Sequence, residues 1–303
     1  MKKVLVLGAT GYIGKEVCQT FVYNNFEVYG LIRSPSLRSQ LPPKVKYIDG
    51  DFATIDNWSH HLREMDTIIN AAFPSHGGDW FKAVTIEHDF LEKLFENVTN
   101  QTQVILMNGT AFLGDSGAGS LSETAAVQQD HPAGIRAKNT SPKHWKKLHS
   151  NVVELRFASF IYGKNGSVFL PILISEARKT GESIYVEDGK IYTSTLHVSL
   201  TGSACLAAVQ YGVAGETYHF ANDETPSIKT IAHAVSHCCG PKCKAISVTA
   251  EEAQDRLDPF TLLFMQQNNA INSTKARKEL NWRASCDTSL LWDVAHGSYA
   301  HHG

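Results

Sequence analysis

Lys3-Val4-Leu5-Val6-Leu7-Gly8-Ala9-Thr10-Gly11-Tyr12-Ile13-Gly14 is the stretch that decides the fold. A short valine and leucine run ends in three glycines spaced Gly-x-x-Gly-x-x-Gly, and the residues after them open an amphipathic helix. The first glycine permits a tight turn, the second lets backbone approach a pyrophosphate, and the third lets helix and strand pack closely. The helix start then offers unpaired N–H donors and a partial positive charge to phosphate. Gly8, Thr10, Gly11, Tyr12, Ile13 and Gly14 are therefore the expected dinucleotide cradle.

Outward from this loop, β-branched runs alternate with longer amphipathic segments, the pattern of a parallel sheet covered by helices on both faces. Strands are expected at 4–7, 27–32, 45–48, 67–71, 104–107 and 152–157. The clearest helix is 80–98, where Phe90, Leu91, Leu94, Phe95 and Val98 fall on one face. The fold class is thus α/β, a doubly wound parallel sheet. After Gly163 the chain turns to glycine-bounded turns, a strand-like piece at 184–186 and helical patterns at 228–237 and 274–280. Residues 1–163 are read as the dinucleotide-binding domain and 164–303 as a smaller mixed substrate-binding region, with a late strand near 216–220 returning to the sheet.

About twenty residues past such a loop, an NAD site normally places an acid that bonds both ribose hydroxyls. Here the second strand ends Leu31-Ile32-Arg33-Ser34. A guanidinium pairs with a 2′-phosphate, and the missing carboxylate removes both a ligand for NAD and the repulsion against NADP, so NADP is expected over NAD. The plainer alternative for Arg33 is a solvated strand end. Asp51 and Phe52, after the third strand, are placed to meet the adenine. Ala71 and Ala72, after the fourth, let backbone approach the cofactor, and Asn108 closes the fifth strand on the same edge.

A chain of 303 residues with 43% hydrophobic and 19% charged content buries a full core, which excludes disorder. Its 28 basic and 30 acidic residues leave a formal charge of −2, too little field to hold nucleic acid or an anionic membrane, so a small-molecule partner is expected. The opening apolar run stops after four residues, too short for an export signal, and no stretch approaches the roughly 18 to 20 apolar residues of a membrane span. A cytoplasmic location follows, with six cysteines as thiols. Cys238, Cys239 and Cys243 cluster after His233 and His237, but the spacing fits no standard zinc pattern, and no metal site is expected.

The Gly-x-x-Gly-x-x-Gly spacing, Gly50-Asp51, Asn70-Ala71-Ala72, and Arg156 followed by Ile161-Tyr162-Gly163 resemble the extended short-chain dehydrogenases/reductases. The likeness continues through Ser194-Thr195-Leu196-His197-Val198, similar to the segment that crosses the substrate cleft. It ends in Ser273-Thr274-Lys275-Ala276-Arg277-Lys278-Glu279-Leu280-Asn281-Trp282, similar to the carboxy-terminal signature of the NAD-dependent epimerase/dehydratase-like branch. The resemblance implies a Rossmann domain with a substrate-binding region laid over it.

In active members a Tyr-x-x-x-Lys pair supplies proton transfer, yet none of the ten tyrosines here is followed by lysine at the fourth position. The family's Ser/Thr position is kept as Thr110. The expected pair falls in Asp130-His131-Pro132-Ala133-Gly134-Ile135-Arg136, with Pro132 at the tyrosine and Arg136 at the lysine. Arginine holds ribose hydroxyls by charge but does not shuttle protons. The chain thus resembles the atypical extended subgroup, in which the pair is commonly lost. His131 and Tyr162 are the candidate substitutes for the relay, and His197 is a weaker one. Phe73 to Trp80 reads as a lid or substrate wall, and Phe112, Leu113, Trp145, Phe160 and Phe169 add apolar surface that suits an apolar carbonyl compound better than a nucleotide sugar.

The leading expectation is an NADP-dependent oxidoreductase acting on a small carbonyl or alcohol, with Thr110 orienting the oxygen and His131 or Tyr162 relaying the proton. The rivals are a non-catalytic NADP(H) sensor, motivated by the missing pair, and an epimerase, dehydratase or isomerase that retains NAD(P). The segment 137–149 is short, basic and interrupted by Pro142, which argues against the dimer common among extended members; the sequence leaves the oligomeric state open.

Overall fold

The computed structural model describes residues 1–74, 78–128, 132–286 and 288–300. Its strands are β1 (Lys3–Leu7), β2 (Glu27–Ile32), β3 (Lys46–Asp49), β4 (Thr67–Asn70), β5 (Gln103–Asn108), β6 (Val152–Phe157), β7 (Phe160–Tyr162), β8 (Glu182–Val186), β9 (Thr195–His197), β10 (Thr217–Phe220) and β11 (Lys244–Val248). Seven of them form one sheet in the order β10-β6-β5-β4-β1-β2-β3, every neighbouring pair parallel. The central strands are buried on both faces, which is why β1 reads as an apolar run rather than an alternating one, while β6, buried throughout, carries the ion pair of Glu154 and Arg156 at 2.8 Å. The chain order reverses between β1 and β4, and a crevice for ligands opens at the carboxyl ends of strands at such a switch point.

On one face, helices Tyr12–Tyr23 and Ser199–Tyr211 pack Val17, Phe21 and Ala204 against Val6, Leu155 and Phe220. On the other, helix Trp80–Asn97 packs Phe90, Leu91 and Leu94 against Leu5, Leu7 and Leu106. The late strand arrives as β10, in register with β6 at Thr217↔Glu154. Just after it in space, Trp282 sits edge-on to Phe220 at 5.0 Å, and its indole donates to Ser203 Oγ at 3.2 Å, so the carboxy-terminal signature docks on the sheet.

A third core, containing Phe169, Ile184, Ile231, Val235 and Leu290, surrounds the parallel pair β8 and β11. Three short strands, β7, β9 and β11, are additions to the expected set: at three to five residues they carry too little alternation to stand out, and tertiary pairing defines them. Among the described residues no helix is long and apolar enough to cross a membrane.

Candidate active site

At the end of β1 the chain turns through Gly8 at φ +77°, beside the backbone of β4. A Cβ on Gly8 would meet Ala71 O and Ala72 N at 3.0 Å each, and one on Gly14 would lie 2.0 Å from Gly8 O, inside any contact distance. Gly11 N donates to Gly8 O at 2.9 Å to close the turn. Helix Tyr12–Tyr23 starts at Gly11 with no side-chain cap and no acidic residue in its first turn, so its leading N–H groups keep their attraction for an anion. Ala71 N donates to Leu7 O at 3.1 Å and Ala72 N to Asn70 Oδ1 at 3.2 Å, which lays that backbone directly along the loop. Ile13 is half-buried and packs against the core beneath the helix. Tyr12 reaches the other way. Its hydroxyl donates to Gly163 O at 2.7 Å and burial pushes its pKa up, so its side chain clasps the 163–166 turn and only its backbone serves the cradle.

Arg33 stands exposed just past β2, and no described residue pairs with it. The next cation, Arg38, is spent on Asp49 at 3.0 Å and on the Tyr47 ring at 4.0 Å. Asp51 accepts from Thr54 N at 3.0 Å to start the following turn. Phe52 stacks flat on Phe90, ring centroids 3.8 Å apart and planes 5° off parallel. An open loop, a bare helix start and a free guanidinium at the neighbouring strand end together fit a dinucleotide.

Arg136, expected to face the ribose, is drawn elsewhere. Its Nε and Nη2 donate to the two carboxylate oxygens of Glu87 at 2.7 and 2.9 Å, its Nη1 to Asn108 Oδ1 at 2.9 Å, and Nη2 also to Met107 O at 3.1 Å. The guanidinium lies over Phe73, 4.5 Å from its centroid. Glu87 has no exposure and accepts a third bond from Asn70 Nδ2 at 3.2 Å. Asn108 in turn donates to Thr140 Oγ1 at 2.9 Å, and that hydroxyl donates to Glu154, the partner of Arg156. A bidentate arginine with four contacts on protein is a brace between helices Trp80–Asn97 and Pro132–Thr140, with little left to offer a ribose.

Thr110 is fully buried in a three-residue cluster. Its hydroxyl donates to Asn269 Oδ1 at 2.8 Å and lies 3.0 Å from Ser159 Oγ, which itself reaches Asn269 Oδ1 at 2.9 Å. Two hydroxyl protons serve three contacts, so one contact is always without a proton. Ser159 is the partly exposed member. It can turn its O–H toward a ligand while Thr110 keeps Asn269 in place.

Tyr162 is buried with its hydroxyl engaged on both counts: it donates to Thr288 O at 2.7 Å and accepts from Asn222 Nδ2 at 2.8 Å. Burial raises its pKa, and the bond to Thr288 ties the side chain to the carboxy-terminal segment. His197 packs on Gly163, with Nδ1 2.6 Å from Ser199 Oγ and its pKa lowered by burial. His131 lies outside the described residues, as do residues 75–77 of the expected lid. What remains of that segment forms an aromatic wall: Phe73 against Trp80 at 5.0 Å, Trp80 against Phe260 at 5.2 Å, and Phe260 against Phe169 at 5.6 Å.

The thiols of Cys238, Cys239 and Cys243 settle on the carbonyls of Tyr299, Ile174 and Ala177 at 3.0, 3.8 and 3.9 Å. Several cations of the carboxy-terminal half are engaged: Arg256 with Glu176 and Glu182 at 3.0 Å each, Lys275 with Glu216 at 2.5 Å and Arg277 with Asp223 at 2.5 Å.

Sequence reasoning missed Glu87, Ser159 and Asn269. Ser159 had a signal, its place between Arg156 and Tyr162 in the recognised segment. Glu87 reads as one acid on an amphipathic helix, and Asn269 comes to Thr110 across 159 residues of chain.

The chain matches the model of the NAD dependent epimerase/dehydratase family over residues 4–221. An uncharacterized protein of Saccharomyces cerevisiae is 24% identical over 298 residues, covering 96% of this chain and 97% of its own. One of Schizosaccharomyces pombe is 24% identical over 300 residues, covering 98% and 99%. Among solved structures, UDP-glucuronic acid 4-epimerase from Bacillus cereus, in complex with UDP-glucuronic acid and NAD, superposes with a TM-score of 0.77 at 19% identity, covering 98% of each chain. The dTDP-glucose 4,6-dehydratase of Streptomyces venezuelae, with NAD bound, gives 0.77 at 16% identity over 98% of this chain and 95% of its own. At such identities the structural likeness is one of fold.

Proposed function

The chain belongs to the NAD dependent epimerase/dehydratase family, and from that premise we propose that it is an NADP(H)-dependent oxidoreductase of the atypical extended type, acting on a small apolar carbonyl or alcohol. The observation that carries the cofactor reading is the exposed, unpaired Arg33 at the end of β2 beside the uncapped start of helix Tyr12–Tyr23. A guanidinium there favours a 2′-phosphate by charge and by fork geometry. When bound, the nicotinamide supplies or accepts hydride.

This chain's residues then bind and orient. Gly8, Gly11 and Gly14 let the loop backbone close on phosphate, while Ala71 and Ala72 border the same groove. Ser159 turns its hydroxyl to the reacting oxygen while Thr110 keeps its bond to Asn269. His131 is the remaining candidate for moving the proton. The aromatic wall of Phe73, Trp80 and Phe260 excludes water from an apolar substrate. The ion-paired Arg256, Lys275 and Arg277 disfavour a nucleotide diphosphate, which needs free cations. The six cysteines, carried as thiols, suit a reducing, cytoplasmic setting.

The test is NADPH oxidation with a panel of aldehydes and ketones. Turnover that falls in Ser159→Ala supports the reading. Tight cofactor binding with no turnover on any carbonyl overturns it in favour of an NADP(H) sensor, a second reading favoured by the commitment of Arg136 and Tyr162 to protein partners. Transfer of substrate hydrogen into cofactor that stays bound would instead mark an epimerase or dehydratase, which the family also contains.

A further inference from the structure

Helix Trp80–Asn97 and the single-turn helix Pro142–Trp145 meet at two facing imidazoles, with His88 Nε2 3.3 Å from His144 Nε2. Zinc–nitrogen bonds of about 2.0–2.1 Å at the tetrahedral angle put two ligating nitrogens about 3.3–3.4 Å apart, so the observed separation is already the edge of a zinc tetrahedron. The far nitrogen of His88, Nδ1, has Asp89 Oδ1 and Glu92 Oε2 each at 3.8 Å. Carboxylates on that side favour the Nδ1–H tautomer, leave the Nε2 lone pair for a cation, and make the imidazole a stronger ligand. Both rings rest on Trp145, at 5.4 Å for His88 and 4.7 Å for His144, which limits how far they must move to bind. His144 is exposed, so a hydrated ion has access.

We propose that His88 Nε2 and His144 Nε2, with water completing the coordination and the Asp89 and Glu92 carboxylates standing behind His88 Nδ1, form a binding site for a divalent cation of the zinc class. The 56-residue separation of the two histidines hides the site from any spacing pattern. The ion clips together the two segments that the Glu87–Arg136 brace also joins, because His88 follows Glu87 on its helix and His144 lies just beyond helix Pro132–Thr140.

Calorimetric titration of the untagged full chain with Zn²⁺, alongside Co²⁺ absorption, tests this. One site is expected whose affinity drops at least about ten-fold in His88→Ala and in His144→Ala, with the double variant no worse than either. Co²⁺ should give visible tetrahedral bands that both variants lose. A Cys239→Ser/Cys243→Ser protein keeps the site, and this excludes capture by thiols. Far-ultraviolet circular dichroism and the zinc-free melting temperature of His144→Gln check that folding survives. Zinc affinity unchanged in both histidine variants, or lost only when the thiols are removed, overturns the proposal.

Discussion

Replacing Glu87 by Leu should strand Arg136 and expose what the arginine is for. Glu87 is fully buried and the Arg136 side chain is 12% exposed, so neither charge has water to fall back on. The pair is held by contacts of 2.7 and 2.9 Å, with Asn70 adding a third to the same carboxylate. Removing one partner of a buried pair costs about 3–5 kcal/mol, because the other charge stays desolvated. With a urea dependence of about 3 kcal/mol per molar, the midpoint of unfolding should fall by about 1–1.7 M. Arg136→Met should cost a similar amount. The double variant Glu87→Leu/Arg136→Met should recover most of it, with a coupling of more than about 2 kcal/mol, since an apolar pair of similar volume leaves no orphaned charge. Cofactor affinity, measured by fluorescence at a temperature where every variant is folded, should change by less than about three-fold in Arg136→Met. A stability loss under about 1 kcal/mol together with a ten-fold or greater loss of cofactor affinity would refute the brace and return Arg136 to the ribose.

Gly14→Ala places a Cβ 2.0 Å from Gly8 O, so helix and loop must separate; cofactor affinity should drop by about a hundred-fold or more, read by fluorescence titration, while circular dichroism stays native-like. Ser159→Ala removes the one partly exposed hydroxyl of the Thr110 cluster and should lower kcat about ten- to a hundred-fold on carbonyl substrates with KM for cofactor unchanged. His219 is buried beside Arg156, and burial first and that charge second push its pKa down to about 3 from the ordinary 6.5. The native state therefore refuses a proton the unfolded chain accepts, so this stability is complete above about pH 6.5 and is lost as the pH falls toward about 3. Between pH 7 and pH 5 the site should account for ~2 kcal/mol of acid destabilisation, which His219→Phe should remove from urea midpoints measured at the two values.

The sheet was legible because its physics is local. Residues 4–7 are buried on both faces and apolar throughout, 152–157 are apolar but for the buried pair of Glu154 and Arg156, and the glycine spacing marks the turn between β1 and its helix. The helix 80–98 was visible for the same reason, as a stripe of Phe90, Leu91, Leu94 and Phe95. The site was less legible because its chemistry is made by contacts across the chain. The spacing argument correctly found that Tyr-x-x-x-Lys is absent, but nothing near Arg136 announces Glu87, 49 residues away, as its partner. Tyr162 looked available from its neighbours in sequence; Asn222 and Thr288, 60 and 126 residues on, return to occupy its hydroxyl. Asn269 joins Thr110 and Ser159 by the same kind of long return.

The most direct test is a pair of binding titrations, NADPH and NADH against the wild-type chain and Arg33→Ala. Wild type should bind NADPH at least about ten-fold more tightly than NADH, a difference of roughly 1.4 kcal/mol or more, and Arg33→Ala should erase that preference by weakening NADPH alone. Failure to bind either nucleotide, or a wild-type preference for NADH that Arg33→Ala leaves untouched, would contradict the account.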